Sequence, residues 1–165
     1  MNTYDEMDKI LISQKDYFIK NGSPDNNLRI DRLKRLKTLI MDNRYHLVDA
    51  LNEDFGNRSK DASLMSDIYS VIPSINYAIK NIHKWTKVEK RSSNFPFSIF
   101  GAKSYIRYEP LGTVGMISPW NFPVNLTFTP LVSIFAAGNQ AMHKPSEHTP
   151  NTSELIKNLC DAAFD

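Results

Sequence analysis

The sequence predicts an α/β protein in which helices come first and a parallel sheet begins only in the last third of the chain. Three observations support this prediction. Apolar residues follow a helical period as far as about residue 87. A segment at 102–112 then alternates with the period of a strand. Two short apolar runs, 112–118 and 140–144, lie on either side of a helical segment, which gives the order β-α-β-α.

The first half of the chain predicts three helices. The first covers 4–20, and Gly22 supplies its end. The second is predicted as one continuous helix that stops at Gly56. The third covers 61–87 and contains Pro73, which predicts a kink or a break. The apolar residues of the second helix are Leu28, Leu33, Leu36, Leu39, Ile40, Leu47, Val48 and Leu51.

The opposite face of the second helix is basic. Such a face either binds an anionic partner or is simply exposed to solvent. The 165 residues include 20 Lys and Arg against 18 Asp and Glu, a net charge of +2, which is far from the excess typical of nucleic-acid binders. We therefore interpret this face as solvated and predict no nucleic-acid partner. Its basic residues are Arg29, Arg32, Lys34, Arg35 and Lys37.

The second half predicts strands. The segment 102–112 is either a single strand or half of a hairpin, closed by a turn at Gly112. The run "GTVGMIS" predicts a buried strand, "VNLTFTPLVSIFAAG" a helix that ends at Gly138, and "QAMHK" a second strand. A last helix follows, with Thr149 as its N-cap and Pro150 at its first position.

This β-α-β-α order predicts right-handed crossovers and the first part of a Rossmann-like parallel sheet. Two parallel strands are fewer than such a sheet normally has, which predicts an incomplete fold, part of something larger. We divide the chain into a helical amino-terminal region, 1–100, and a second region, 101–165, that begins with the strand or hairpin.

Polar side chains follow both parallel strands. In "SPWNFP", Pro119 and Pro123 restrict the backbone around Asn121, which aims its amide. In "KPSE", Lys144 offers a positive charge and Glu147 a carboxylate. Ligands bind beyond the carboxyl ends of parallel strands, so this set suits a nucleotide cofactor and a reacting carbonyl. The alternative is two ordinary surface turns. No G-x-G-x-x-G motif is present.

The segment from Tyr108 to Ser153, which includes both turns, closely resembles the aldehyde dehydrogenase superfamily. Upstream, "RIDRLKRLKTLIMDNRYHLVDALNEDFGNRS" is similar to the amino-terminal helices of its coniferyl-aldehyde dehydrogenase branch. The resemblance implies NAD-dependent oxidation of an aldehyde to a carboxylic acid, with NADP as the other cofactor of the family. It also implies a homodimer, and a substrate that is coniferyl aldehyde or another aromatic or fatty aldehyde.

The resemblance also assigns roles to seven residues. Asn121 matches the asparagine whose amide, with the backbone N–H of the catalytic cysteine, stabilises the oxyanion of the thiohemiacetal. Lys144 and Glu147 match the residues that hold the adenosine ribose, which makes 101–165 the start of an NAD-binding domain. The residues that match the nicotinamide side are Ile117, Ser118, Pro119 and Trp120.

The family's nucleophilic cysteine, its general-base glutamate and its glycine-containing helix start have no counterpart in these residues. The resemblance therefore predicts an amino-terminal fragment that is inactive alone. The alternative is a non-catalytic interaction or assembly module with the same half-fold. Cys160 shares a helix face with Ile156 and Ala163, so we interpret it as a buried structural thiol.

Other sequence features predict the cellular location and bear on membrane spans and metal sites. A single cysteine excludes an intrachain disulfide, and the N-terminus lacks the apolar run of a signal peptide, so we expect a cytoplasmic protein. The charge-free stretch 111–143 is interrupted by glycines and prolines and does not predict a membrane span. No metal site is predicted, because the histidines show no ligand spacing; they are His46, His83, His143 and His148.

Overall fold

A computed structural model describes residues 3–164 and confirms the α/β class, with helices first and a small parallel sheet after them. The helices are α1 (Thr3–Asn21), α2 (Asn26–Asp42), α3 (Arg44–Phe55), α4 (Lys60–Ser63), a π-helix (Leu64–Tyr69), α5 (Val71–Trp85), α6 (Asn125–Ala136) and α7 (Pro150–Ala163). The strands are β1 (Glu89–Arg91), β2 (Ser104–Ile106), β3 (Thr113–Ile117) and β4 (Gln140–Lys144).

The predicted second helix is two helices, so the prediction of one continuous helix was wrong. Asn43 separates α2 from α3 with φ −102° and ψ 12°. Its side-chain amide donates to the carbonyl oxygen of Leu39 at 2.9 Å, which closes the last turn of α2. The apolar spacing does not show this break because both helices turn their apolar faces to the same core. The predicted end at Gly56 is confirmed, with φ 76°.

The third helical stretch is broken before its proline rather than at it. A π-helix precedes Ser70, and α5 starts at Val71. Pro73 lies in the first turn of α5, where a missing N–H breaks no intrahelical hydrogen bond. The proline therefore marks the start of a helix, and the irregular turns lie upstream of it.

The strands form two sheets. β1 pairs with β2 in an antiparallel hairpin, so the predicted strand is half of a hairpin, and it is shorter than predicted. Its partner β1 was not predicted and lies inside the stretch assigned to the helical region. β3 and β4 pair in parallel, as predicted, with α6 as the crossover. Gly112, with φ 105°, makes the turn before β3.

One hydrophobic core joins the helical part to the parallel sheet. Phe128 of α6, which is fully buried, belongs to the same cluster as Leu36 of α2 and Ile75 of α5. The β-α-β-α segment thus packs directly on the amino-terminal helices. The division at residue 100 stays a prediction.

Arg29 corrects the interpretation of the basic face as solvated. Its side chain is buried, and its guanidinium donates to the carbonyl oxygen of Ala136 at 3.2 Å, at the end of α6. It also donates to Pro24 and Ser23. A Cβ on Gly138 would lie 2.6 Å from the Arg29 Cζ atom, so the guanidinium would have to shift, and the φ of 85° also favours glycine here. Burial lowers the pKa of Arg29.

Candidate functional site

The candidate site lies where β3 and β4 end side by side. Ile117 is opposite Lys144 in the parallel register. The backbone N–H of Ser118 donates to the carbonyl oxygen of Lys144 at 3.1 Å, which extends the pairing by one residue. Both proline-containing turns therefore leave from the same edge of the sheet, as the sequence predicted.

The turn that carries Asn121 is held through its backbone. Arg58 donates to the carbonyl oxygen of Asn121 at 3.1 Å, and Asn121 itself is exposed. This contact does not use the side-chain amide. Pro119 and Trp120 are also exposed, and the Trp120 ring lies 6.4 Å from that of Phe55.

An ion pair from the helical part of the chain supports this turn. Arg58 donates to the Oδ2 atom of Asp67 at 2.6 Å. The Oδ1 atom of Asp67 accepts from the backbone N–H of Asn125, the first residue of α6, at 3.2 Å. Asn125 also donates from its side chain to the carbonyl oxygen of Ser66 at 3.1 Å.

Sequence reasoning missed both residues of this pair. It used "DFG" as a helix stop and gave Arg58 no role of its own, and Asp67 lies one helical turn from Leu64 and from Val71 in a stretch predicted as helix. An acidic residue at such a position was the available signal, because a carboxylate is almost never fully buried without a partner.

Ser118 points inward, unlike its neighbours. Its hydroxyl lies 2.8 Å from the Nε2 atom of His143 and accepts from the hydroxyl of Thr127 at 3.0 Å. Ser118 is buried, whereas Ile117 is 81% exposed. Burial lowers the pKa of His143. The side chain of Ile117, rather than that of Ser118, is therefore the surface that β3 presents at its end.

Lys144 and Glu147 are brought together. The Lys144 Nζ atom lies 2.6 Å from the Glu147 Oε2 atom, and both side chains are exposed. The hydrogen bond from Lys144 lowers the pKa of Glu147 to about 2, with help from its own backbone N–H. Glu147 is therefore an anionic acceptor at neutral pH, which fits the hydroxyls of a ribose.

Cys160 does not have the character of a nucleophile. Burial raises its pKa to about 11, and the Asp161 carboxylate adds to the shift. The thiol is therefore protonated at neutral pH.

Among residues 3–164, no group of three or more His, Cys, Asp or Glu side chains is arranged to hold a metal ion.

The turn after β4 leads into α7, whose first N–H groups are capped by Asp54 of α3. The Asp54 carboxylate accepts from the backbone N–H groups of Asn151 at 2.9 Å and of Thr152 at 2.8 Å. Thr149 occupies the predicted N-cap position, but its side chain makes no cap hydrogen bond. The predicted N-cap position of Thr149 and the predicted start of the helix at Pro150 are confirmed, but the hydrogen bonds to these N–H groups come from a carboxylate of α3.

The family model and the similar proteins described here agree on one family. The family model described as "Aldehyde dehydrogenase family" matches residues 3–164. A probable coniferyl aldehyde dehydrogenase of Caulobacter vibrioides is 43% identical over 159 residues, which are 96% of this chain and 33% of that protein. A 4,4'-diaponeurosporen-aldehyde dehydrogenase of Staphylococcus aureus is 38% identical over 92% of this chain and 32% of its own length. The chain thus spans about a third of the length of these relatives.

Solved structures agree on the fold. The substrate-bound state of Staphylococcus aureus AldH superposes with a TM-score of 0.88 at 34% identity, covering 100% of this chain and 35% of that one. A Pseudomonas syringae aldehyde dehydrogenase C mutant, in complex with NAD+ and octanal, has a TM-score of 0.78 at 19% identity and covers 98% and 31%. In the part of this chain that the structure describes, no helix has the length and apolarity to cross a membrane.

Proposed function

Because this chain belongs to the aldehyde dehydrogenase family, we propose that it forms part of an enzyme that oxidises an aldehyde to a carboxylic acid with NAD(P). The chain spans about a third of its relatives' length, so the proposal concerns the intact gene product. Within it, this chain supplies an oxyanion donor and one side of a cofactor site.

The position of Asn121 is the observation that carries this proposal. Its residue is exposed at the carboxyl end of β3, while Arg58 holds its backbone carbonyl. Attack of a thiolate on an aldehyde places a negative charge on the carbonyl oxygen. A donor that is already oriented stabilises this charge without reorganisation, which is how oxyanion donors accelerate reactions.

The residues that end and follow β3 and β4 fit the cofactor. Glu147, which is paired with Lys144, would accept from the hydroxyls of the adenosine ribose. Ile117, Pro119 and Trp120 present exposed apolar surface for the nicotinamide side, and Ser118 contributes backbone, since its hydroxyl is engaged inward. When bound, NAD(P) supplies the acceptor for the hydride that the aldehyde carbon loses.

The thiolate that attacks the aldehyde comes from another part of the intact protein in this proposal. Cys160 is protonated and half-buried on α7, so it does not act as the nucleophile.

We further propose an aromatic aldehyde of the coniferyl type as substrate, on the basis of the Caulobacter vibrioides relative. The Staphylococcus aureus relative indicates 4,4'-diaponeurosporen-aldehyde as the representative of a second class to assay. The homodimer stays a prediction.

The experiment compares wild type with Asn121→Ala in the intact gene product. We expect NAD reduction with an aldehyde, and a fall in turnover of about 10²–10³ in the variant. The dissociation constant for NAD should stay within a few-fold, because the donor acts on the carbonyl oxygen and not on the cofactor. Asn158→Ala, which removes an exposed asparagine on α7, is the matched control and should leave turnover unchanged.

Two results would contradict the proposal. Normal single-turnover hydride transfer in Asn121→Ala, with only a lowered melting temperature, would make "SPWNFP" a rigid turn without a catalytic role. An intact gene product that oxidises no aldehyde from either class, yet assembles with itself or another protein, would favour the non-catalytic module.

A further inference from the structure

The turn that carries Asn121 is fastened at two points by one ion pair. Arg58 holds the carbonyl oxygen of Asn121 at 3.1 Å. Asp67 holds the backbone N–H of Asn125 at 3.2 Å. The 2.6 Å contact between Arg58 and Asp67 joins the two points. The backbone from Asn121 to Asn125 is thus one side of a closed hydrogen-bonded ring.

This ion pair is sheltered from solvent. The Asp67 side chain is fully buried, and that of Arg58 is 15% exposed. The guanidinium also lies over the rings of Phe55 and Phe122, at 4.7 Å and 5.0 Å from their centroids. Hydrogen bonds between charged groups are stronger and more directional when water is excluded, so this geometry is stiff.

The Asp67 carboxylate is buried in the irregular helical segment that precedes α5. Asp67 lies in the π-helix, where it and Ile68 are the buried residues. Burial raises the pKa of Asp67, and Arg58 and the backbone N–H groups of Val124 and Asn125 act against this shift. The charge of the carboxylate therefore depends on the same groups that it holds in place.

We propose that Arg58 and Asp67 are positioning residues for Asn121: their buried pair sets the backbone of the turn, and so the direction in which the amide points. This inference rests on the proposed function, since it assigns Asn121 a donor to position. Neither residue is assigned contact with the substrate. A misplacement of about 1 Å in a catalytic group is enough to cost about 10²-fold in rate.

Turnover is the first measurement. In the intact gene product, Arg58→Met should lower kcat about 10- to 100-fold and change the NAD dissociation constant by no more than a few-fold. Arg58→Lys should recover only part of the loss, because an ammonium lacks the planar fork that serves two acceptors. Lys60→Met is the matched control: Lys60 forms an exposed pair with Asp49 of α3, so its loss should leave kcat unchanged.

A double-mutant cycle separates positioning from general stability. If Arg58 acts through Asn121, Arg58→Met should change kcat less than about threefold once Asn121 is alanine. A merely structural role predicts that Arg58→Met lowers the fraction of active enzyme by the same factor in both backgrounds. Equal effects in both backgrounds, with kcat per active site unchanged, would overturn the inference.

Hydrogen exchange tests the same inference without activity. Arg58→Met and Asp67→Asn should each speed exchange in the segment 119–126, while exchange at the start of α7 stays as in the wild type. Unchanged exchange in both variants would overturn the inference even if Asn121→Ala is inactive, in which case the proposed function stands. Faster exchange together with a fully active Asn121→Ala would show that the Arg58–Asp67 pair holds the backbone of the turn, and it would reject the proposed function.

Loss of one partner leaves a buried charge, so a single variant can fail to fold. The double variant Arg58→Met/Asp67→Asn removes both charges and is measured in the same way. It should show the same faster exchange in 119–126 and the same dependence on Asn121. A double variant with wild-type exchange and turnover would overturn the inference.

Discussion

Ile117 lies opposite Lys144 in the parallel register of β3 and β4. One hydrogen bond beyond this pair, from Ser118 to the Lys144 carbonyl oxygen, is the last link between the strands. The two turns separate at this point, and each carries candidate residues within four positions of it. In an α/β sheet ligands bind beyond the carboxyl ends of the parallel strands, which is where both turns begin.

Glu147 should set the choice between cofactors. We expect the intact gene product to prefer NAD over NADP, moderately, because the Glu147 carboxylate repels a 2′-phosphate while Lys144 partly compensates. Since Lys144 lowers the pKa of Glu147 to about 2, and a phosphate monoester loses its second proton at about pH 6, the preference should not change between about pH 7 and 9. Steady-state kinetics with both cofactors measure it. In Glu147→Gln the preference should weaken, and a clear NADP preference that this variant leaves unaltered would remove Glu147 from the site.

Cys160 should be inert at neutral pH. Its pKa of about 11 means that little thiolate is present, so alkylation by iodoacetamide should be slow at pH 7 and rise with pH. Peptide-resolved mass spectrometry measures the rate at this residue. Cys160→Ser should leave aldehyde oxidation unchanged. Rapid labelling at pH 7, or an inactive serine variant that remains folded, would contradict our interpretation of this thiol.

His143 should make stability depend on pH. Burial lowers its pKa in the folded protein, so between that value and the ordinary one near 6.5 the unfolded chain binds more protons. The free energy of unfolding should therefore fall as the pH drops through about 6.5. Thermal unfolding of the intact gene product at several pH values measures the slope. His143→Gln should reduce it.

Asp54, and not Thr149, should stabilise the start of α7. Asp54→Ala removes the acceptor of two backbone N–H groups and should cost about 1–2 kcal/mol of unfolding free energy. Thr149→Ala should cost much less than this, because the Thr149 hydroxyl has no hydrogen-bond partner within residues 3–164. Urea denaturation of the intact gene product compares the two. A larger loss of unfolding free energy in Thr149→Ala than in Asp54→Ala would show that the Thr149 side chain caps the helix.

The sequence by itself determined the class of every long element. Helical spacing identified α1, α5, α6 and α7, and the apolar runs identified β3 and β4 with their parallel order, because these signals come from neighbouring residues that share one face. It also determined that Asn121 and Glu147 follow strands and that Lys144 ends one. This placement needs only the order of elements along the chain.

The tertiary structure alone decided what depends on contacts between distant residues. Arg29, assigned to a solvated face, is buried against the end of α6, 107 residues away. Asp54 caps α7 from α3, and Arg58 and Asp67 hold the turn of Asn121 from the helical part. A charged residue looks the same in sequence whether water or a buried partner satisfies it. Which one does so depends on how the helices pack, and that packing is settled only when the whole core has formed.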